Sequence, residues 1–450
     1  MSASVGENKT EFYLYNTINA SLGPSSPFDF FLGTQTQTEV TLNADGVYRA
    51  NWGLSEPVNI AFGAERREET YSVGAGDAAS YAVGPGAKDG LAVASNGFPG
   101  FSDLQAGEWS QVSSAAYVDV EARLIPAWTV GAAVRYEDYD SFGGTTNGKL
   151  ATRYEFTQNV AARASVSTGF RAPTPGQMNS LSVSQGLDTV TLQVFTNGRL
   201  SPLNPIAVSK GARPLEPETS SNTSAGLVWR TDIGLSGTVD VYQIDVENRL
   251  GQSASISLTK AEKDALVAQG YPAAASFTSV NWYTNDYDTR TKGVDIVTTY
   301  TRPVWNGRLS LTLAYNHNET EITGGTLNAN PTTKRIFEEG LPQDNAAFTG
   351  TFRKGAFEYQ VRTRYYGAWT DSTGNTTGDI FQRFGAMSFV DASVLWDIDS
   401  RLSLKVSAEN IFNQYPEKAI FQASRGIEYS RNAPYDTYGG QVYVRLNAKF

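Results

Sequence analysis

The chain has 450 residues, of which 40% are hydrophobic and 12% aromatic, and a formal net charge of -10. With no Cys there are no disulfides or thiolate metal sites, and with one histidine, His317, a His-based triad or His-rich metal site is nearly excluded. The acidic balance, with an isoelectric point near 4.9, disfavours nucleic acid as a partner. No stretch approaches the roughly 18 apolar residues of a membrane-crossing helix, and mean hydropathy is -0.33. Yet Tyr (23), Phe (22) and Gly (42) are abundant. Strands that alternate a lipid-facing with a lumen-facing residue give this mixture.

Taken in chain order, Met1 to Lys9 has no basic or apolar run of a secretory signal. An outer-membrane chain must be exported, so residues 1–9 are expected to be the leader of a fragment and residues 10–450 a partial barrel. Gly74-Ala75-Gly76-Asp77 nominally fits a dinucleotide fingerprint, but Ser80 to Gly86 reads as loop where that motif needs a helix. Strict period-two alternation begins at 116–124, with Ala116, Val118, Val120, Ala122 and Leu124 on one face and Tyr117, Asp119, Glu121 and Arg123 on the other. It recurs at 128–137, 160–167, 357–365 and 401–408. A soluble sandwich alternates too. Here the polar face carries full charges, while Trp128, Tyr136, Trp229 and Trp396 stand at the ends of apolar runs, the girdle arrangement of lipid-facing strands. Residues 235–247 change phase midway, which predicts a bulge there.

Tight turns are expected near 52–56, 125–126, 157–159, 232–234, 303–306, 354–356 and 397–400. Loops are expected near 22–34, 74–108, 142–148, 171–217, 251–280, 324–342, 370–386 and 412–437, all long except 142–148. Short turns at one end and long extracellular loops at the other predict an all-β, antiparallel, up-and-down transmembrane barrel of about 16 strands. An even count puts both chain ends on the short-turn, periplasmic side. Thr259 and Glu262 form a capping box ahead of a helix that Gly270 can stop, inside a long loop.

Few residues invite a chemical reading. Asp119 and Glu121 share a strand face with Arg123, and Arg135 follows on the next strand. Lumen charges without catalysis account for them. His317 follows Leu309, Leu311, Leu313 and Tyr315, which suggests an interfacial imidazole. An enzyme would need a convergent nucleophile and base, so no enzyme, cofactor or metal is expected. Tyr81, Phe98, Phe101, Tyr366, Trp369 and Phe381 lie in or beside the long loops. They could stack on an arriving ligand or pack the loops on one another. Backwards from Phe450, Ala448, Leu446, Val444 and Val442 form the apolar face of a closing strand.

Several elements resemble TonB-dependent receptors. Gly169-Phe170-Arg171-Ala172-Pro173 looks like the family's Gly-Phe-Arg-Ala-Pro element, and Leu215 to Asn222 its Leu-x-Pro-Glu-x-Ser-x-Asn element. Thr291-Lys292-Gly293-Val294-Asp295 is similar to its Gly-Val-Glu/Asp strand. Asn410-Ile411-Phe412-Asn413 is similar to its Asn-Leu-Phe-Asp element, with Ile and Asn replacing Leu and Asp. The resemblance is clear from about Ala115 to Phe450 and looser over 10–72. It implies a Gram-negative outer-membrane receptor importing a scarce siderophore, vitamin or oligosaccharide. It also implies a 22-strand family barrel, a plug through which TonB acts, contact with outer-membrane lipid, and a terminal Phe450 recognised by the barrel assembly machinery. Nothing before Lys9 has room for a plug or TonB box, and about six strands are unaccounted for. The alternative is a passive outer-membrane porin, whose roughly 16 strands would have to close on themselves.

Overall fold

The computed structural model describes residues 1–449 apart from 104, 180, 188–193, 272–273, 276, 327–330, 373–379 and 421–426. Phe450, the expected assembly signal, lies outside the described residues. Among the described residues the main sheet has 19 strands, three of them short loop strands. Sixteen strands therefore form the wall. In order they are β1 (Ser2–Leu14), β2 (Phe30–Ala50), β3 (Val58–Ala75), β4 (Gly107–Ile125), β5 (Trp128–Tyr139), β6 (Gly143–Thr157), β7 (Val160–Arg171) and β8 (Glu218–Arg230). They continue as β9 (Leu235–Gln252), β10 (Ser279–Val304), β11 (Gly307–Gly325), β12 (Asp344–Lys354), β13 (Phe357–Tyr366), β14 (Met387–Asp397), β15 (Leu402–Glu409) and β16 (Gln441–Ala448).

Each wall strand pairs antiparallel with its sequence neighbours. Short connections and long loops alternate as expected, the one short link at the loop end being that between β5 and β6. Both chain ends lie at the short-turn end. Among the described residues no ladder joins β1 to β16.

Residues 2–9, expected as a leader, are instead part of β1. Ser2 pairs with Asn43 and the ladder runs on to Leu14 opposite Phe30. Ser2, Ser4, Gly6 and Asn8 give the segment little hydrophobic period, so its strand state is imposed by β2. The bulge in β9 is also displaced from the expected midpoint, falling between Val246 and Arg249, with Asn248 at φ +55°. Tyr242, Ile244 and Val246 are apolar residues on the inner face, and they imitate an earlier phase change.

One face of the wall is consistently apolar. Phe62, Val118 and Val134 stand opposite one another across β3, β4 and β5, and all three are exposed. Uncovered apolar side chains in register across many strands make an outward band suited to lipid. The inner face holds charges tied by cross-strand pairs, such as Arg163 to Asp240 at 2.6 Å. At Gly237 the indole of Trp229 from the next strand fills the space a Cβ would take.

Buried apolar packing sits in the loops. Val183, Leu200, Ile206, Leu258, Leu266, Phe277 and Trp282 form one core shared by loops 172–217 and 253–278. Within it, Asn197 to Leu200 run parallel to Ser279 to Trp282 at the start of β10. The expected helix spans Lys260–Ala268 with both capping-box bonds present. It stops as predicted: Gly270 takes φ +99°, its N–H donates to Val267 O and that of Tyr271 to Leu266 O. A second core, of Trp369, Phe384, Phe389, Ala419 and Tyr435, joins loops 367–386 and 410–440. The dinucleotide-like segment ends in a single helical turn, Ala78–Tyr81, between antiparallel strands. No βαβ unit exists there.

Candidate functional site, the covered mouth of the lumen

Period two places Glu65, Arg67, Glu69 and Tyr71 of β3 on one face, with Trp109, Gln111 and Ser113 of β4 and Arg135 and Glu137 of β5 beside them. This is the inner face. Arg67 reaches Glu39 at 2.8 Å and Glu69 at 3.4 Å, and Arg135 reaches Glu65 at 2.9 Å and Glu137 at 2.6 Å. Together with Phe170 and Arg171 of the Gly-Phe-Arg-Ala-Pro element they line a cavity of about 430 Å³. Each carboxylate here is held near a guanidinium, so the inner wall is polar and internally neutralised.

Closer to the loops the surface becomes aromatic and cationic. Tyr71 and Trp109 stack at 6.2 Å. Arg199, carried by the loop strand Val194–Leu200, lies 4.7 Å over the ring of Tyr283 on β10. Tyr71 is in electrostatic reach of both Arg199 and Tyr283. Since β3 and β10 lie far apart along the wall, loop 172–217 bridges the mouth. Next to it Arg249 stands 5.6 Å from the ring of Tyr287 and 5.5 Å from that of Phe337, and donates to Thr289 Oγ1 at 3.1 Å. Phe337 belongs to the loop helix Pro331–Glu339. Among the described residues the buried Nε atoms of Arg67, Arg199 and Arg249 find no hydrogen-bond partner. Aromatic faces with guanidinium groups beside them can hold a planar or anionic group by stacking and charge-assisted hydrogen bonds.

The six loop aromatics singled out from the sequence do not gather around this space. Phe98 and Phe101 pack on Phe12 at 5.9 and 5.8 Å, and Phe101 is buried. Trp369 is 2% exposed, stacks on Phe384 at 4.5 Å and donates its indole N–H to Tyr435 Oη at 3.2 Å. Tyr366 lies against Phe389 and Tyr435. Phe381 is covered by the guanidinium of Arg335 at 4.6 Å. Tyr81 is half-buried, and burial followed by the charge of Asp103 pushes its phenol up. Their observed contacts are with the loops and with the strand ends beneath them, Phe12 of β1 and Phe389 of β14. Tyr71, Trp109, Tyr283 and Tyr287 were missed, although an aromatic on the charged face of an alternating strand was a usable signal. Asp119 and Glu121 share the inner face with Arg135 on the neighbouring strand. His317 is on the outer face, its Nδ1 2.9 Å from Asp344, which also accepts from Tyr315 Oη at 2.7 Å. Among the described residues no cluster of His, Cys, Asp and Glu could hold a metal ion.

Comparison with known proteins agrees with this architecture. The vitamin B12 transporter BtuB of Photobacterium profundum is 22% identical over 309 residues, 68% of this chain and 40% of the transporter. A ferric enterobactin receptor, PfeA, from Pseudomonas aeruginosa superposes with a TM-score of 0.65 at 16% identity, over 100% of this chain and 59% of the receptor. The siderophore receptor PirA of Acinetobacter baumannii gives a TM-score of 0.65 at 14% identity, over 100% and 60%. The chain thus spans well under two thirds of these relatives. Residues 4–411 match the family model described as TonB dependent receptor-like, beta-barrel. The chain therefore belongs to the TonB-dependent receptor family, as its outer-membrane β-barrel part.

Proposed function

We propose that this barrel serves active uptake of a scarce ligand of the siderophore, vitamin or oligosaccharide class, and that the ligand is first held at the covered mouth. The convergence of Arg199, Tyr283, Tyr71 and Trp109 beneath loop 172–217 carries the reading. A polar inner wall lies below it, where a ligand leaving the aromatic rim would meet paired charges rather than an apolar barrier. TonB is the expected energy source, acting through a plug region, and no residue of this chain is assigned to that contact. The barrel assembly machinery is the expected partner of Phe450, and outer-membrane lipid that of the outward band.

The test is growth of a strain lacking the gene on a panel of iron–siderophore complexes, cobalamin and oligosaccharides. Restoration of growth by the intact receptor on one ligand names the class. In that background Arg199→Ala and Tyr283→Ala are expected to lower uptake about tenfold or more, one charge-assisted contact to a ligand being worth roughly 1.5–3 kcal/mol. Undiminished uptake by both variants at normal outer-membrane levels would remove the site. Growth of the deletion strain on every ligand would remove the importer reading.

A further inference from the structure

The bulge in β9 lies at the loop end of the wall and decides which way one cation points. From Ser236 to Val246 the even-numbered residues of β9 face the lumen, as Asp240 does in reaching Arg163. On an uninterrupted strand Arg249, an odd position, would face outward. Between Val246 and Arg249, however, two residues, Glu247 and Asn248, stand against one, Asp288, and Asn248 takes φ +55°. The extra residue turns Arg249 back to the inner face, opposite Tyr287. There its guanidinium lies against the rings of Tyr287 and Phe337 and donates to the buried Thr289 hydroxyl. Arg67 and Arg135, lower on the wall, are each shared between two carboxylates. Arg249 is held instead by a hydroxyl and two rings, and its buried Nε finds no partner among the described residues.

The bulge is held from outside the strand, by the Leu215 to Asn222 element. Glu218, a buried carboxylate at the start of β8, accepts the Leu250 N–H at 2.6 Å. Asn285 of β10 donates to the carbonyls of Asn248 and Glu216 at 2.8 Å each, and accepts the Glu216 N–H at 2.8 Å. Asp288 accepts the Asn248 N–H at 2.9 Å. Backbone groups on both sides of Arg249 are thereby paired with side chains of the neighbouring strands, which fixes its direction. Glu218 also reaches Arg171 of the Gly-Phe-Arg-Ala-Pro element at 3.7 Å.

We propose that this locked bulge makes Arg249 a contact for an oxyanion group of the ligand at the mouth, with Glu218 and Asn285 as its positioning residues. A carboxylate so near an anion contact works against it by charge alone, so the use of Glu218 here is geometric. The proposal rests on the reading of the mouth as the ligand's first contact, but its test needs no imported ligand.

The chain has no Cys, so Tyr287→Cys puts a single thiol opposite Arg249. The probes are the anionic 2-sulfonatoethyl and the cationic 2-trimethylammonioethyl methanethiosulfonates, applied to the full chain in isolated outer membranes. Labelling of the peptide carrying residue 287 is followed by mass spectrometry. The ratio of the two rates, divided by that for a free thiol in solution, reports the local potential. Preference for the anion is expected. Arg249→Gln should lower the ratio about tenfold, the effect in water of one charge at the 5.6 Å of the Tyr287 ring on reagents of opposite sign. Deleting Asn248, which restores plain alternation, should do the same. Glu218→Ala should lower the ratio about threefold or more although it removes a negative charge, and Asn285→Ala, which changes no charge, should lower it likewise. Glu218→Gln keeps an acceptor for the Leu250 N–H and should hold the ratio at or above its starting value. A ratio that Arg249→Gln leaves unmoved, or that Glu218→Ala and Asn285→Ala do not lower, would overturn the proposal. Arg249→Gln and Asn285→Ala decide the matter even if Glu218→Ala does not assemble. A receptor that imported none of the ligands on the panel would still show these ratios, so the two readings fail separately.

Discussion

Leu266→Ala probes whether the loop cover is an independently cooperative unit. Leu266 is fully buried among Leu258, Ala274, Phe277 and Trp282. It also sits in the last turn of helix Lys260–Ala268, where its carbonyl accepts the Tyr271 N–H at 3.0 Å. Truncation removes about 2 kcal/mol of transfer free energy at roughly 0.8 per methylene. The cavity left behind adds more, since the strand pairing at Ser279 to Trp282 limits collapse, for a total of about 3–5 kcal/mol. Among the described residues the wall contributes to this core through the start of β10, Val280 and Trp282, so the loss should appear as local opening rather than global unfolding. Hydrogen exchange followed by mass spectrometry is the assay. Peptides from 205–217 and 258–270 should exchange about 100-fold faster, and those from 344–366 unchanged. A rise below about threefold in the loops, or an equal rise in β12 and β13, would refute the reasoning.

Two further outcomes follow from charged groups. Glu262 closes the capping box and also accepts from Lys210 at 2.8 Å, tying the two loops together. The Lys210 bond first, and those from Thr259 next, hold its carboxyl at about 2, below the ordinary 4.5. A depressed carboxylate contributes above its unfolded value and loses that contribution as pH falls. Helix exchange, corrected for the intrinsic rate, should therefore stay flat above pH 4.5 and rise between 4.5 and 2, and Glu262→Gln should flatten the profile. On the inner wall, Asp391 accepts from Arg362 Nε at 3.0 Å, from Arg364 Nε at 2.9 Å and from the buried Asn410 N–H at 3.0 Å. Asp391→Ala leaves that N–H unsatisfied and removes the carboxylate from Arg364, while Arg362 keeps Glu409 at 4.0 Å. A loss of about 2 kcal/mol, after discounting for the partly exposed Arg362, should appear in urea unfolding of the folded barrel. An unchanged midpoint would show that water replaces the carboxylate.

Legibility in the sequence followed the range of the forces involved. Wall strands such as β4 and β5 were readable because lipid and lumen impose opposite polarity on successive residues, so the pattern is local. The capping box was readable for the same reason, since Thr259, Glu262 and Gly270 act within one helix. β1 was not, because its small polar residues are held by a 13-residue ladder to β2 that lies tens of residues away in sequence. Local pattern also misplaced the bulge of β9, since apolar residues tolerated in a wide lumen look like a change of face.

The loop aromatics show the same limit from the functional side. Phe101 and Trp369 share composition and loop position with any ligand-contacting residue. What separates them is burial against Phe12 and Phe384, pairings that only the folded loops create. Tyr71 and Trp109 differ because a strand fixes their direction. On a face that otherwise carries Glu65, Arg67 and Glu69, an aromatic ring gains nothing from lipid and little from water, so its presence there needs another reason. A guanidinium brought in by loop 172–217 supplies one, and Arg199 occupies that position. The strand half of the site is thus encoded in the period of the wall, and the loop half in a tertiary bridge across the mouth. Substitutions that leave the wall intact but loosen that bridge, Leu266→Ala among them, should therefore weaken ligand capture while sparing barrel stability.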